Sequence, residues 1–375
     1  MLREACSLVQ LRIFNRIVLV GISSGELPSE EQIRPGISLR RFGERRPGGR
    51  IHQKIWSNLS WSIAVLRAFR RESLACINCH SVAVLPLCAL LKLLTGARLV
   101  YDAHELESEA NGLSPLRRWL ARTVERLFIH RADHCIFVSE AIRDWYVRNY
   151  RLRQASVLFN CPRLSQPEPS DYFRETFGIP AEAPVFLYQG VLGEGRGLPI
   201  LMDAFAGLEG RAAMVLMGYG PMAEWIRSEA RQRDNVFFHE AAPPSDLLRY
   251  TAAADFGLSI IEPTSLSYDY CMPNKLFEYV MADKPVLVSP TLEQRRFVER
   301  CKVGVVARDM TPEGVREGVK LLLGQGHQAY AASLADARLE YCWERQEVLL
   351  REIYTRHLGF DALPSLASSA SPAAF

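Results

Sequence analysis

Residues 273–279, PNKLFEY, place a proline, an amide, a cation and a carboxylate in the first turns of a helix that follows an apolar strand, AADFGLSII at 253–261. A continuous apolar run of that kind suits a strand covered on both faces in a parallel sheet. The loop 262–272 is polar, and Pro273 then opens the helix where its missing N–H does no harm. The amides after it point past the carboxyl end of the strand, a ready cradle for an anion. Lys275 adds a point charge to that cradle. Asn274 and Glu278 stand four apart and share a face, which sets a carboxylate one turn deeper. Phosphate on the amides and Lys275, with ribose hydroxyls on Glu278, spells a nucleotide. Many strand–helix connections begin with Pro, so the assignment draws on the rest of the chain.

The elements that would position these groups form two series. In the first half, apolar runs at 16–22, 75–81, 97–105 and 133–140 alternate with helical segments, as in a parallel sheet wound by helices. Ser114-Pro115 caps the helix LRRWLARTVERLFIHRA, whose Leu, Val and Phe positions share a face while Arg117, Arg118, Arg122 and Arg126 lie mostly elsewhere. A Pro-rich polar stretch at 160–173 reads as a hinge. A second series follows at 184–190, 212–218, 235–240, 254–261, 284–289 and 302–307. The expected architecture is therefore α/β, with two doubly wound Rossmann-like domains facing a cleft at their strand carboxyl ends. The expected boundaries are 1–162 and 163–344, with a helix at 345–358 packing back on the first domain. The Ala/Ser/Pro tail, 359–375, has the composition of a disordered segment.

Composition narrows the functions. The 375 residues, 48% hydrophobic, are enough for two ordinary cores. The net charge of +3 conceals a polarity: residues 1–165 hold 25 Lys and Arg against 14 Asp and Glu, an excess of +11, and the remainder holds 20 against 28, or −8. A basic first half, with Arg-rich stretches such as 39–50, fits an anionic acceptor or an anionic membrane surface; nothing points to nucleic acid. There is no run of about 18 uncharged apolar residues and no secretory signal at the start, so the expected location is cytoplasmic, at most peripheral on a membrane. Nine scattered Cys then read as reduced, packed thiols. Cys76-Ile77-Asn78-Cys79-His80 has the spacing of c-type haem attachment, but attachment requires export, and the segment reads as a core strand. No zinc spacing appears, and no metal or cofactor is expected.

Several motifs together resemble the family 4 retaining glycosyltransferases of GT-B fold, over about residues 1–356: VYDAHELESE (100–109), VSEAIRDWY, VLFNCP, YQGVLGEGRGLPILMDAF (188–205), CMPNKLFEYVMADKPVLVS and YCWERQEVLLREIY. The resemblance implies that Glu278 binds the ribose of a nucleotide-diphosphate sugar, and that Lys275, Arg196 and the amides near Asn274 bind its diphosphate. A departing diphosphate develops negative charge, which fixed cations and helix amides stabilise. Gly190, Gly193, Gly195 and Gly197 would let backbone approach the ligand. His104 matches the His that touches the donor sugar near the reacting carbon. His80 and Glu105 are acceptor-side candidates, and Ser139 and Glu140 match a turn for which helix capping is a sufficient reason. The base is expected near residues 239–248.

The chain departs from the family pattern twice. Where the family carries a second Glu, eight positions before Glu278, stands Tyr270, here placed with the donor-side set; Glu262 and Asp269 lie nearby. The segment MLREACSLVQL resembles the fold's first helix and RIVLVGI its second strand, so the opening strand is expected upstream of Met1. The reading is a retaining hexosyltransferase passing sugar to a glycan or lipid-linked acceptor in surface polysaccharide or glycoconjugate synthesis. A sugar-nucleotide epimerase of the same fold, or a non-catalytic nucleotide-binding scaffold, are the alternatives.

Overall fold

The structure, a computed structural model, describes residues 1–23, 27–44 and 51–361. The expected disordered tail lies outside the described residues from 362 on, as does part of the Arg-rich stretch 39–50. The described chain falls into two compact units. One is built from Met1–Asp102, Thr123–Ile136 and the residues from Glu347 on, the other from Ala103–Arg122 and Phe137–Gln346. Among the described residues no helix is long and apolar enough to cross a membrane.

The chain opens with α1 (Leu2–Gln10) and then β1 (Ile17–Ser23), β2 (Glu30–Arg34) and β3 (Ile37–Glu44). These strands make a separate three-stranded sheet, in which β3 lies between a parallel β1 and an antiparallel β2. This differs from the all-parallel winding expected of the first half. The reason is local: Arg34-Pro35-Gly36 turns the chain back on itself, with Gly36 at φ +77°, so β2 and β3 form a hairpin. Next come α2 (Ile51–Phe69), β4 (Cys76–Cys79), α3 (Leu85–Thr95), β5 (Arg98–Ala103), α4 (Pro115–Phe128), β6 (His134–Phe137), α5 (Glu140–Tyr150) and β7 (Ala155–Val157). The strands β4, β5, β6 and β7 order in that sequence in a second sheet, β4 running parallel to β5. Near the chain's other end, Phe360 packs edge-on against Phe14, and Tyr354 shares hydrogen bonds with Asn78 at 2.6 and 2.9 Å. All nine cysteines are free thiols. Burial pushes the Cys76 thiol up to about 12, and Cys79 donates to the Ser81 carbonyl, so the CINCH segment is ordinary strand packing.

The second series yields all six expected strands: β8 (Val185–Val191), β9 (Ala213–Tyr219), β10 (Val236–Glu240), β11 (Phe256–Ser259), β12 (Val286–Val288) and β13 (Gly304–Val306). They pair in the order β10-β9-β8-β11-β12-β13, all five pairings parallel. Relabelled from its own first strand, this is the 3-2-1-4-5-6 order, whose reversal between β8 and β11 creates the crevice where ligands of open α/β sheets sit. The helices between are α6 (Tyr172–Phe177), α7 (Leu198–Phe205), α8 (Ala223–Ala230), α9 (Leu247–Ala252), α10 (Leu266–Tyr270), α11 (Asn274–Met281) and α12 (Leu292–Cys301). After β13 follow α13 (Pro312–Gln325), α14 (Ala331–Glu340) and α15 (Trp343–Glu352).

Helix α11 is fixed to the sheet by Tyr279. Its buried hydroxyl donates to the carbonyls of Leu187 (2.8 Å) on β8 and Leu258 (3.1 Å) on β11, and it accepts from the Gln189 amide (3.2 Å). Gly257 makes room for that ring, since a Cβ there would lie 2.4 Å from Tyr279 atoms. Gly257→Ala is therefore expected to destabilise the protein by about 1–3 kcal/mol through overpacking. A lowered urea midpoint checks this; an unchanged midpoint contradicts the packing described.

Candidate active site

Two connections meet above the crevice between β8 and β11. The first runs from β8 into α7. Gly190 ends the strand's inner stretch at φ +122°, and a Cβ added there would sit 3.8 Å from Lys275 Cε, on the site side. Gly197 (φ +64°) opens α7, and any side chain on it would come within 2.4 Å of Ile260 Cγ2. Between them the loop is held by Glu262. Its carboxylate accepts from the Gly197 amide (3.2 Å), and its own amide donates to the Gly195 carbonyl (2.9 Å). Arg196 is thereby presented with its guanidinium 4.8 Å from the centre of the Tyr268 ring, a cation–π contact.

The second connection enters α11. Pro273 is its N-cap with extended backbone (φ −70°, ψ 134°), and Leu276, Phe277, Tyr279 and Val280 bury the inner face. Asn274 is exposed, and Lys275 folds inward. Its stem touches solvent, yet its Nζ is sealed from water and has no hydrogen-bond partner. The ammonium lies 3.5 Å from the centre of the Tyr188 ring. Burial, and then the neighbouring Arg196 charge, push Lys275 down to about 7, while Glu278 partly opposes them. Arg196, Lys275 and Glu278 thus share one electrostatic neighbourhood. A buried ammonium beside a guanidinium, at the positive end of a helix, lacks a counter-anion.

Glu278 is oriented by residues that spacing alone does not reveal. Its Oε2 accepts from Gln189 Nε2 at 2.6 Å, and Gln189 Oε1 accepts from Thr251 Oγ1 at 2.9 Å. The sequence signal for Gln189 is slight: one amide in an apolar strand next to Gly190.

The remaining candidates have these surroundings. The Tyr270 carbonyl accepts from Ser139 Oγ (2.7 Å), and its side chain helps line a cavity of about 240 Å³ with Ala141, Arg148, Leu292 and Arg296. Asp269 accepts from the Leu292 amide (2.9 Å), at the start of α12. With Glu262 on the glycine loop, both carboxylates nearest the Tyr270 position are engaged with backbone. Ser139 caps α5 by accepting from Ile142, and the buried Glu293 takes the amides of Glu140 and Ala141, so that helix end is satisfied from within. His104 and Glu105 are exposed in the turn after β5. His80 follows β4 and pairs with the buried Asp102, Nδ1 to Oδ2 2.9 Å.

Comparison with known proteins bears on the family and the fold. The "Glycosyl transferase 4-like domain" family matches residues 8–162, and "Glycosyl transferases group 1" matches 183–325. A chitobiosyldiphosphodolichol beta-mannosyltransferase of Eremothecium gossypii is 22% identical over 314 residues, spanning 70% of this chain and 66%, just under two thirds, of that protein. Sucrose-phosphate synthase from Thermosynechococcus elongatus superposes with TM-score 0.76 at 16% identity, covering 92% of this chain and 89% of its own. HepE of Anabaena in complex with UDP-glucose gives 0.67 at 16% identity over 85% and 86%. WaaG, described as a glycosyltransferase involved in lipopolysaccharide biosynthesis, gives 0.64 at 17% identity over 96% and 95%. At such identities the structural likeness is one of fold.

The Lys275 environment carries a pH signature. Its folded value of about 7 lies below its ordinary 10.5, so between these the unfolded chain holds a proton the folded one has released. The resulting destabilisation is full below pH 7 and lifts as pH rises toward 10.5. The ligand-free protein is expected to gain stability across that window relative to Lys275→Met, in which the difference vanishes. Denaturation midpoints of the two proteins from neutral to alkaline pH check this.

Proposed function

The chain belongs to the GT-B glycosyltransferases, and from that premise we propose that it moves a hexosyl group, with retention, from a nucleotide-diphosphate sugar to a hydroxyl of a glycan or lipid-linked acceptor. The observation that carries the donor assignment is the sealed, unpartnered Lys275 ammonium between Arg196 and the amino end of α11. In this reading the diphosphate lies on Lys275, Arg196 and the first-turn amides near Asn274. The ribose hydroxyls lie on Glu278, held in place by Gln189 and Thr251. Gly190, Gly195 and Gly197 keep the loop close enough for backbone contact.

The acceptor oxygen bonds to the anomeric carbon as the bond from that carbon to the diphosphate oxygen breaks. For front-face attack the acceptor proton passes to the departing diphosphate; a short-lived enzyme adduct is the other route to retention. Charge on the leaving group is met by Lys275 and Arg196, so the reading assigns that task to no metal. His104 is the candidate for contact with the sugar near the reacting carbon, and His80 and Glu105 for the acceptor side. The names of the relatives support a sugar nucleotide as donor, since HepE is seen with UDP-glucose, and a lipid-linked acceptor, since the Eremothecium protein is named for a dolichol diphosphate. Work at the cytoplasmic face of a membrane, in surface glycoconjugate synthesis, fits both.

Replacing Glu278 by Gln, or Arg196 by Ala, removes one charged hydrogen-bonding group from the donor site and is expected to weaken donor binding by roughly 1.5–3 kcal/mol. Titration of UDP-glucose and GDP-mannose against wild type and both variants, with turnover on a lipid-linked acceptor, tests the proposal. Unchanged donor affinity in both variants sinks the assignment.

A further inference from the structure

Helix α4 turns most of its large apolar side chains outward. Its sequence, PLRRWLARTVERLF, is strongly amphipathic, and a surface helix of that kind ordinarily turns its apolar stripe to the core. Here Leu116, Trp119, Leu120 and Leu127 are 66%, 61%, 48% and 65% exposed. Their spacing of three, four and eleven residues puts them in one stripe. The side turned inward is mixed, with the apolar Ala121, Val124 and Phe128 half-buried beside a buried carboxylate. Glu125 is completely buried, and Arg118 and Arg122 bend toward the buried Glu109, with Arg122 Nε 2.7 Å from its carboxylate. Pairing of the half-exposed Arg118 and Arg122 with Glu109, together with that mixed inner side, holds the helix with its larger apolar stripe outward. Arg117 and Arg126, both exposed, flank the stripe at its two edges, and no acidic residue lies on the outer face.

We propose that α4 is an interfacial helix by which this protein seats on an anionic lipid surface. Apolar side chains including Trp, bordered by Arg and free of acids, suit the boundary between headgroups and acyl chains: the apolar groups enter and the guanidinium groups stay with phosphate. The +11 excess of residues 1–165 adds attraction of the same sign. A second helix has similar chemistry. Helix α2 exposes Ile55, Trp56, Leu59 and Ile63, and no acidic residue occurs from Arg45 to Arg71. A second copy of the chain is the poorer occupant, because a two-fold contact through the stripe brings Arg117 and Arg126 against their own copies. The inference does not depend on the donor assignment.

The test uses the full chain with phosphatidylcholine vesicles, without and with about 30% phosphatidylglycerol, in cosedimentation at rising salt. Wild type is expected to bind the anionic vesicles at low salt and to release as salt rises. The triple variant Leu116→Ser, Trp119→Ser, Leu127→Ser is expected to lose at least about tenfold in partitioning. The double variant Arg117→Glu, Arg126→Glu is expected to lose the preference for anionic vesicles. Both variants change only exposed side chains, and their denaturation midpoints and nucleotide binding are expected to stay at wild-type values. Absence of vesicle binding, or equal binding by the triple variant, overturns the proposal. So does a concentration-dependent dimer that the triple variant abolishes, which would assign the stripe to a second copy.

Discussion

A lysine ammonium sealed from water beside a second cation is the constraint around which the donor half of this molecule is arranged. Burying an unpaired charge is expensive, and the protein does not offset it internally. Glu278, the nearest opposing group, is already tied to Gln189, and the Tyr188 ring gives Lys275 only a π face. These surroundings push Lys275 down to about 7, and an anion beside it would raise it again. A site that is electrostatically incomplete while empty binds a multiply charged ligand with the full strength of a dry environment.

That arrangement works only if its parts cannot relax. An ammonium on a loose helix would swing into water. Helix α11 is prevented from moving by the Tyr279 hydroxyl, which spans β8 and β11 at the place where strand order reverses. The opposing loop is prevented from moving by Glu262, which holds both Gly195 and Gly197. Gln189 belongs to both systems: its backbone amide meets Tyr279 and its side chain meets Glu278. The switch point thus positions Lys275 and Glu278 on one helix through one rigid strand.

How far this could be read in the sequence follows from distance along the chain. Pro273, Asn274, Lys275 and Glu278 are legible because helix periodicity fixes their relation within two turns. The six strands of the second series are legible because each is a short apolar run. Gln189, Thr251 and Glu278 come together from three separate elements, and no local period records that. The hairpin of β2 and β3 is hard to read despite its Pro-Gly turn, because alternating, charge-rich strands give a weak apolar signal. Helix α4 shows the opposite difficulty. Its amphipathicity is plain in the sequence, but which side faces inward depends on partners outside the helix, Glu109 among them. The sequence also left open whether Glu262 or Asp269 stands in for the carboxylate absent at Tyr270, and both prove to be engaged with backbone amides.

The claim that a bound diphosphate supplies the missing counter-charge of Lys275 is tested most directly by counting protons on binding. Calorimetric titration with UDP, and with GDP as a second probe, at about pH 8.5 in buffers of different ionisation enthalpy reports net proton exchange in a range where the diphosphate is itself fully ionised. The account predicts uptake approaching one proton per nucleotide by the wild-type protein, and none by Lys275→Met in whatever binding it retains. Tight binding by the wild-type protein with no proton uptake would contradict it.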